Sequence, residues 1–303
     1  MTDRHGVLPQ RLPARSKEVG GVPVSRALPV KDRRLIGAWC FLDHAGPAVF
    51  KGQDGMKVGP HPHTGLQTFT WMLEGEILHR DSLGSEQIIR PGQVNLMTAG
   101  HGITHTEDSA GRHPRLHAAQ LWIALPPAES EMPPRFDHYP DLPVWNVDQV
   151  RFTLLAGEYG ERCSPVLHFS ALVGIDLQAQ QSAQTTLNTR PDFEYGIFIL
   201  EGQLTYCDEI YTTNELVYLG EGLSSLTLTL MKGTRILLLG GAPMQEKIML
   251  WWNFAGYNSQ SLQQAVSDWN SGDVRFGVIE NECREPLPAP LYPVAHRHSD
   301  PQI

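Results

Sequence analysis

The stretch GPHPHTGLQT, residues 59–68, places His61 and His63 on either side of a proline. The fixed ring of proline, and the restriction that it imposes on the preceding residue, favour an extended backbone here. Side chains two residues apart in an extended strand project from the same face, so both imidazoles can point toward one site. Taken alone, the pair favours two turn histidines that bind no metal.

A second pair with the same spacing changes that interpretation. In AGHGITHTED, residues 99–108, His105 and Glu107 are again two positions apart. If the strands that carry the two pairs face each other, three imidazoles and one carboxylate converge. Such a donor set suits a divalent first-row transition metal with open coordination positions. His61, His63, His105 and Glu107 are therefore candidate metal ligands, and turn histidines without a metal remain the alternative at this point.

His101 lies close to the second pair and raises the question of a further ligand. Strict strand alternation would put its side chain on the same face as that of His105. Gly100 and Gly102 flank it, however, and two glycines so close together predict a bend that breaks the alternation. We therefore interpret His101 as a residue of the pocket wall or of the surface.

The remaining histidines have less specific settings. His79 lies in LHRDSLG, which predicts a hairpin turn with an exposed imidazole. His113 precedes a proline in a predicted loop, and His117 begins a strand-like run in which it either supports the metal ligands or belongs to the core. The HRH of residues 296–298 lies in a Pro-rich segment, which is a poor scaffold for a metal site.

Short runs rich in β-branched and aromatic residues alternate with glycine and proline along the whole chain. This pattern predicts an all-β fold built of sandwiches or barrels. One helix is predicted near the C-terminus, in NSQSLQQAVSDWNSG, where apolar residues recur at i, i+3, i+4 and i+7. Ser261 and Gln264 fit a capping box at its start, and Gly272 is suited to its end.

The chain also contains an internal repeat. HTGLQTFTWMLEG begins at His63 and RPDFEYGIFILEG begins at Arg190, and both end in Leu-Glu-Gly after an aromatic-rich run. At this offset Asn188 stands where the first copy has His61, and Arg190 stands where it has His63. The repeat predicts two copies of one β-barrel unit, of which the second has lost both imidazoles.

A Pro-rich and charged segment, residues 126–143, separates the two copies and is predicted to be a linker. We therefore expect a metal-binding barrel in residues 1–135 and a barrel without a metal site in residues 144–283. The Pro-rich tail, residues 284–303, is predicted to lack regular structure.

Composition narrows the classes of function. The net charge is −9 and no run of Lys and Arg is present, which argues against nucleic-acid binding. No apolar run reaches membrane-spanning length, and the first residues show no secretory signal. Four scattered cysteines without a C-x-x-C pair indicate free thiols in a reducing compartment: Cys40, Cys163, Cys207 and Cys283. We expect a cytoplasmic monomer that binds neither nucleic acid nor membrane.

Two longer stretches, HPHTGLQTFTWMLEGEILHRDSLG from His61 and IIRPGQVNLMTAGHGITHTE ending at Glu107, carry a family resemblance. Both resemble the signature of the pirin family, a group of bicupins in the cupin superfamily. Weaker similarities, LWWNFAG and RFGVI, follow in the second half, so the resemblance extends over about residues 34–279.

The resemblance implies two stacked cupin barrels of jelly-roll type with a few short helices. It further implies Fe(II) in the N-terminal barrel, and residue by residue the ligands fall on His61, His63, His105 and Glu107. Other divalent transition metals also suit such a set. The chain departs from the family at Gln67, where members often carry glutamate. An amide is a poor ligand beside a carboxylate, so Glu107 must supply the acidic group.

Some pirins are similar to quercetin 2,3-dioxygenases, so the resemblance implies oxidative cleavage of a flavonol, with Glu107 also accepting the substrate's hydroxyl proton. One alternative is a regulatory protein whose metal or redox state controls binding to a transcription factor or a metabolic enzyme, without catalysis. Another is a cupin isomerase that acts on a sugar or a small acid. The sequence separates them poorly, since it shows neither a basic patch nor a phosphate-binding loop.

Overall fold

The computed structural model describes residues 9–50, 55–111 and 114–293, and most of these lie in β-strands. The all-β prediction is confirmed. The predictions for His113 and for the HRH of residues 296–298 lie outside the described residues.

The first half of the chain contributes strands to both halves of the fold. They are β1 (Gln10–Pro13), β2 (Arg15–Val19), β3 (Val22–Leu28), β4 (Trp39–Val49), β5 (Lys57–His63), β6 (Leu66–Glu74), β7 (Ile77–Asp81), β8 (Glu86–Ile89), β9 (Val94–Thr98), β10 (Ile103–Ser109), β11 (Arg115–Ala124) and β12 (Arg135–Tyr139).

Two sheets of this half enclose the candidate site. The larger has the strand order β12-β9-β6-β11-β4-β3-β2, and the smaller has the order β5-β10-β7-β8. The first seven residues of β6 are all buried, which means that both faces of the larger sheet are covered there. One face closes over the interior of this half, and the other packs against the second half of the molecule.

The second half repeats the arrangement. Its strands are β13 (Val144–Val147), β14 (Val150–Tyr159), β15 (Arg162–Cys163), β16 (Leu172–Ala179), β17 (Ala183–Asn188), β18 (Glu194–Glu201), β19 (Gln203–Tyr206), β20 (Glu209–Thr212), β21 (Glu215–Gly220), β22 (Ser225–Leu230), β23 (Arg235–Gly241), β24 (Met249–Trp251) and β25 (Phe254–Gly256).

The strand orders of the two halves correspond. The larger sheet of the second half runs β1-β21-β18-β23-β16-β14-β13, and its smaller sheet runs β17-β22-β19-β20. The predicted internal repeat is thereby confirmed as two cupin-type sandwiches. The edge position that β12 takes in the first half is taken in the second by β1, which pairs with β21. The chain's first described strand therefore completes the distant half, and the exact division into residues 1–135 and 144–283 stays a prediction.

The segment predicted as a linker, residues 126–143, contains a strand. Within it, β12 pairs along its whole length with β9 of the first half. The linker prediction was wrong here because it gave more weight to the flanking prolines than to the alternation of apolar and polar residues in RFDHY. Such a short alternation suits an edge strand.

The two larger sheets pack face to face and form the main hydrophobic core. Leu42, Phe69 and Leu121 from the first half lie in one cluster with Phe198 and Leu237 from the second. Burial of apolar area of this kind is the dominant stabilising contribution in folding. It also fixes the large sheet of the first half, against which the candidate site is built.

The predicted helix is confirmed as α1 (Ser259–Ser271), and it ends at Gly272 in the left-handed conformation. The predicted capping box was wrong. The N-cap is Asn258, whose side chain accepts a hydrogen bond from the Ser261 backbone N–H at 2.8 Å. The helix begins three residues before the position that a Ser261 cap requires, and Gln264 donates to Asp268 instead. A 3-10 helix, Val274–Phe276, follows α1.

The chain beyond β25 returns to the first half and forms part of the rim of the candidate site. The backbone N–H of Leu287 donates to the Pro60 carbonyl at 2.8 Å. The Arg284 guanidinium holds both carboxylate oxygens of Asp108, at 2.7 and 2.8 Å. As predicted for the tail, residues 284–293 form neither helix nor strand.

Glu194 on β18 joins the two halves and provides a test of their packing. Its carboxylate accepts the Gly37 backbone N–H at 2.6 Å and the Tyr218 hydroxyl at 2.6 Å, and the residue is 6% exposed. Glu194→Ala leaves a buried N–H unpaired, so we expect the free energy of unfolding to fall by about 2–3 kcal/mol in urea titrations. The exposed Glu161→Ala is the control, with an expected change within about 0.5 kcal/mol. Equal effects of the two changes would contradict this role of Glu194.

Candidate metal centre

Antiparallel pairing of β5 with β10 brings three of the predicted ligands together. His61 lies directly opposite His105 in the register, and His63 lies opposite Ile103. The ring centroids of His61 and His105 are 4.2 Å apart, and those of His63 and His105 are 5.1 Å apart. One ring nitrogen from each of the three lies within 4.8 Å of the others. All three side chains are buried, so the strands present a compact cluster of imidazoles away from bulk water.

The hydrogen bonds of these rings leave nitrogen atoms available at the centre of the cluster. His61 donates from Nδ1 to the Gly59 carbonyl at 2.8 Å. His63 bonds to the backbone of Asn253, while its Nδ1 is buried without a partner, as is Nε2 of His105. A buried polar atom without a partner is costly, and coordination of a cation removes that cost. The cluster therefore fits a metal ion.

Burial also sets the protonation state of the cluster. Loss of hydration lowers the pKa of His61 to about 4, and it lowers the pKa values of His63 and His105 well below their usual range. The neighbouring imidazoles add to the effect, because two positive charges so close together repel each other. All three rings are therefore neutral at pH 7, which is the form that binds a metal.

Glu107, the fourth predicted ligand, lines the same cavity but belongs to an adjoining cluster. It is grouped with His79 and His105, so that His105 is common to both clusters. The β10 register shifts between His105 and Glu107. Burial raises the pKa of the Glu107 carboxyl, although hydrogen bonds from Thr70 and Gln120 oppose this. The site thus offers its carboxylate at one side of the three imidazoles.

His79 differs from its predicted setting. It is 3% exposed, lies on β7 opposite Glu107, and stacks on Phe136 with ring centroids 4.3 Å apart. The prediction of an exposed turn was wrong because the turn begins only after Asp81. On the strand, His79 shares the inward face with Ile77 and Asp81. The alternation in ILHRD was the sequence signal that could have revealed this.

His79 and Asp81 form a hydrogen-bonded chain behind His105. Nε2 of His79 lies 3.0 Å from Asp81 Oδ2, and its Nδ1 lies 3.3 Å from Nδ1 of His105. Burial raises the pKa of Asp81, but hydrogen bonds from His79 and Ser85 outweigh it and lower the pKa below its usual value. A charged carboxylate that orients an imidazole next to a ligand ring is a common support in metal sites.

The other residues singled out in the sequence lie apart from both clusters. His101 is half-buried in the turn before β10, where its backbone N–H donates to the Met132 carbonyl at 3.0 Å. His117 is buried on β11, and its Nε2 lies 2.6 Å from Nε2 of His44. Gln67 donates to Thr98 at 3.0 Å and to the Leu167 carbonyl of the second half at 3.3 Å. Its amide therefore joins the two halves.

A cavity of about 510 Å³ opens beside His61, His63 and Glu107. Its walls are largely apolar and include Phe41 and Trp122, whose rings stack with centroids 3.9 Å apart. Volume and lining are typical of sites that bind small organic molecules, in which a few polar groups determine orientation. The polar groups of the lining include the candidate ligands His61, His63 and Glu107, together with charged side chains such as those of Arg26 and Asp43.

On the other side of Phe41 lies the guanidinium of Arg26, 4.5 Å from the ring centroid. Arg26 also bonds both carboxylate oxygens of Asp43, at 2.8 and 2.7 Å. Aromatic, cationic and anionic side chains thus hold one another in place along this wall.

Among the described residues, neither α1 nor the 3-10 helix is long and apolar enough to span a bilayer.

Comparison with known families identifies the fold. The family model described as Pirin matches residues 21–123, and the Pirin C-terminal cupin domain matches residues 174–277. The chain is a member of the pirin family. The two matched segments fall on the two sandwiches, one with the imidazole cluster and one without it.

Among relatives of this pirin, a Pseudomonas aeruginosa protein named "Putative quercetin 2,3-dioxygenase PA1205" is 53% identical over 292 residues, 96% of this chain and 93% of its own. The crystal structure of a quercetin 2,3-dioxygenase from Acinetobacter baumannii is 50% identical, with a TM-score of 0.92, and the match covers 94% of this chain and 96% of the other. The nickel(II) complex of the Escherichia coli pirin YhhW shares the fold at 18% identity, with a TM-score of 0.64, over 78% of this chain and all of its own.

The buried imidazoles make the metal-free protein sensitive to acid. The unfolded chain takes up protons at His61 near pH 6.5, whereas the folded chain does so only near pH 4. We therefore expect the free energy of unfolding to fall as the pH is lowered from 6.5 to 4, and His61 alone accounts for up to about 3 kcal/mol of this loss. Urea titrations at several pH values measure it. His61→Gln should give a flatter dependence, and parallel curves for the two proteins would contradict the prediction.

Proposed function

We propose that this pirin is a metal-dependent dioxygenase that cleaves flavonol-type substrates, with Fe(II) held by His61, His63, His105 and Glu107. The observation that carries the proposal is the cluster of buried, neutral imidazoles with unpaired nitrogens at the wall of a largely apolar cavity. The names of the relatives that are about half identical to this chain support the same activity.

The bound metal would supply Lewis acidity toward a substrate hydroxyl and a meeting point for substrate and oxygen. The donor set of three nitrogens and one oxygen suits several divalent metals, and the nickel(II) complex of a distant pirin agrees with that breadth. We propose Fe(II) for this chain on the basis of its family.

The residues of the cavity would bind and orient the substrate. The apolar walls favour a flat aromatic compound, since burial of its rings removes apolar surface from water. The paired Phe41 and Trp122 and the Arg26–Asp43 ion pair keep this wall rigid, which holds a bound substrate in one orientation.

Glu107 is positioned to accept the proton of a substrate hydroxyl. Its pKa is raised by burial, which brings the basicity of the carboxylate closer to that of a useful general base at neutral pH. The single hydrogen of the Thr70 hydroxyl goes mainly to Gln120 Oε1, at 2.8 Å, since Glu107 Oε1 is 3.4 Å away. Glu107 keeps its hydrogen bond from Gln120, and a carboxylate has further acceptor sites at which it can receive a substrate proton.

The variant His105→Ala tests the proposed activity, because His105 is common to both clusters. We expect it to lose bound iron and to lower oxygen consumption with quercetin at least about 100-fold, as the site loses one of its four proposed ligands. Iron analysis and an oxygen electrode give the two readouts.

His101→Ala is the matched control, since it changes a histidine of the same stretch that lies outside both clusters. It should retain iron and oxygen consumption. Full oxygen consumption by iron-free His105→Ala would exclude the mechanism, and an iron-loaded wild-type protein that consumes no oxygen with any flavonol would exclude the activity.

A further inference from the structure

We infer that the second half carries a ligand site of its own, a cavity suited to a neutral, single-ring aromatic compound that bears a carbonyl group. The site is separate from the candidate metal centre, and the inference does not depend on the proposed dioxygenase activity.

The cavity has a volume of about 290 Å³ and lies at the end of the sandwich that corresponds to the metal centre of the first half. Residues 188–190, which line it, are the repeat counterparts of residues 61–63. Its inner wall is formed by the buried apolar side chains of Val173, Ile175, Leu238 and Phe193. The second half therefore keeps a cavity at the same place but lines it with different chemistry.

This cavity is not suited to a metal ion. Where the first half has His61 opposite His105, the second has Asn188 opposite Ser225. The clusters of metal-binding side chains in the described part of the chain both lie in the first half. What the second cavity offers to a ligand is thus apolar surface and hydroxyl groups.

Two tyrosines of the lining provide hydrogen-bond donors. The Tyr195 oxygen accepts the Arg190 backbone N–H at 3.0 Å, and the Tyr159 oxygen accepts the Asn188 backbone N–H at 3.1 Å. Each phenol has one hydrogen to donate, and in residues 9–50, 55–111 and 114–293 neither hydroxyl donates a hydrogen bond. Burial raises the pKa values of both, so they stay protonated at neutral pH. Two free O–H groups beside an apolar wall suit a carbonyl oxygen, which accepts two hydrogen bonds.

The charges at the rim favour a neutral ligand over a carboxylate. Arg190 is neutralised by Asp192, whose oxygens lie 3.1 and 2.5 Å from its nitrogens, and it covers the ring of Phe193 at 4.1 Å. Glu158 also lines the cavity, close enough to Arg190 to interact with it electrostatically. With two carboxylates around one guanidinium, Arg190 is not a free cation that could hold a carboxylate ligand.

The size of the cavity limits the ligand. Ligand pockets commonly hold about 300–1,000 Å³, and this one lies at the lower limit. One aromatic ring with a short substituent fits that space. The larger cavity beside the imidazoles has room for a larger molecule.

Calorimetric titration of the full chain with acetophenone tests the inference, with benzoate as the charged counterpart. We expect acetophenone to bind with equal affinity to the wild type and to His105→Ala, whose metal site is disabled. Benzoate should bind at least tenfold more weakly than acetophenone. Tyr195→Phe and Tyr159→Phe should each weaken acetophenone binding at least fivefold, because each loses a donor but keeps its ring.

Val173→Phe provides a second variant, since its larger side chain should fill the cavity and abolish binding even if a tyrosine variant fails to fold. Urea unfolding checks that each protein is folded. No detectable binding of acetophenone to the wild type would overturn the inference. So would binding that His105→Ala abolishes, binding that folded Val173→Phe retains, or tighter binding of benzoate than of acetophenone.

Discussion

The pairing of β5 with β10 is the constraint on which the rest of this structure depends. Because His61 lies directly opposite His105, a slip of one residue in this register would turn one set of imidazoles away from the cavity. Pro62 keeps the strand extended, and β7 on the other side of β10 adds His79 and Asp81 behind the ligand ring. The geometry of the candidate metal centre follows from this three-stranded arrangement.

The two halves share one fold but differ in the side chains of their interiors. In the second half one large apolar cluster makes up the interior of the sandwich, whereas in the first half part of that space holds imidazoles and a carboxylate. Polar groups in such a place are costly to bury. The contact between the two large sheets, with Trp39 donating to carbonyls of Val173 and Gly240, supplies apolar packing that helps to offset this cost. The second half thus supports the first, whatever it binds itself.

Much of this could be predicted from the sequence because the signals were local. Histidines two residues apart, the repeated Leu-Glu-Gly runs and the helical periodicity before Gly272 each depend on neighbours along the chain. The buried position of His79 on a strand was not predicted, because the sequence does not show at which residue the following turn begins. The pairing of β1 with β21 and of β12 with β9 depends on contacts distant in sequence, which no short pattern encodes. The same holds for the grouping of Glu107 with His79, since the pairing of β10 with β7 determines it.

The most direct measurement of the central claim is an anomalous difference map at the iron edge from crystals grown without oxygen and with ferrous salt. The account predicts a single strong peak in the first half, coordinated by His61, His63, His105 and Glu107. A peak held by His79 in place of His61 and His63, or no peak beside these strands in crystals that take up iron elsewhere, would contradict it.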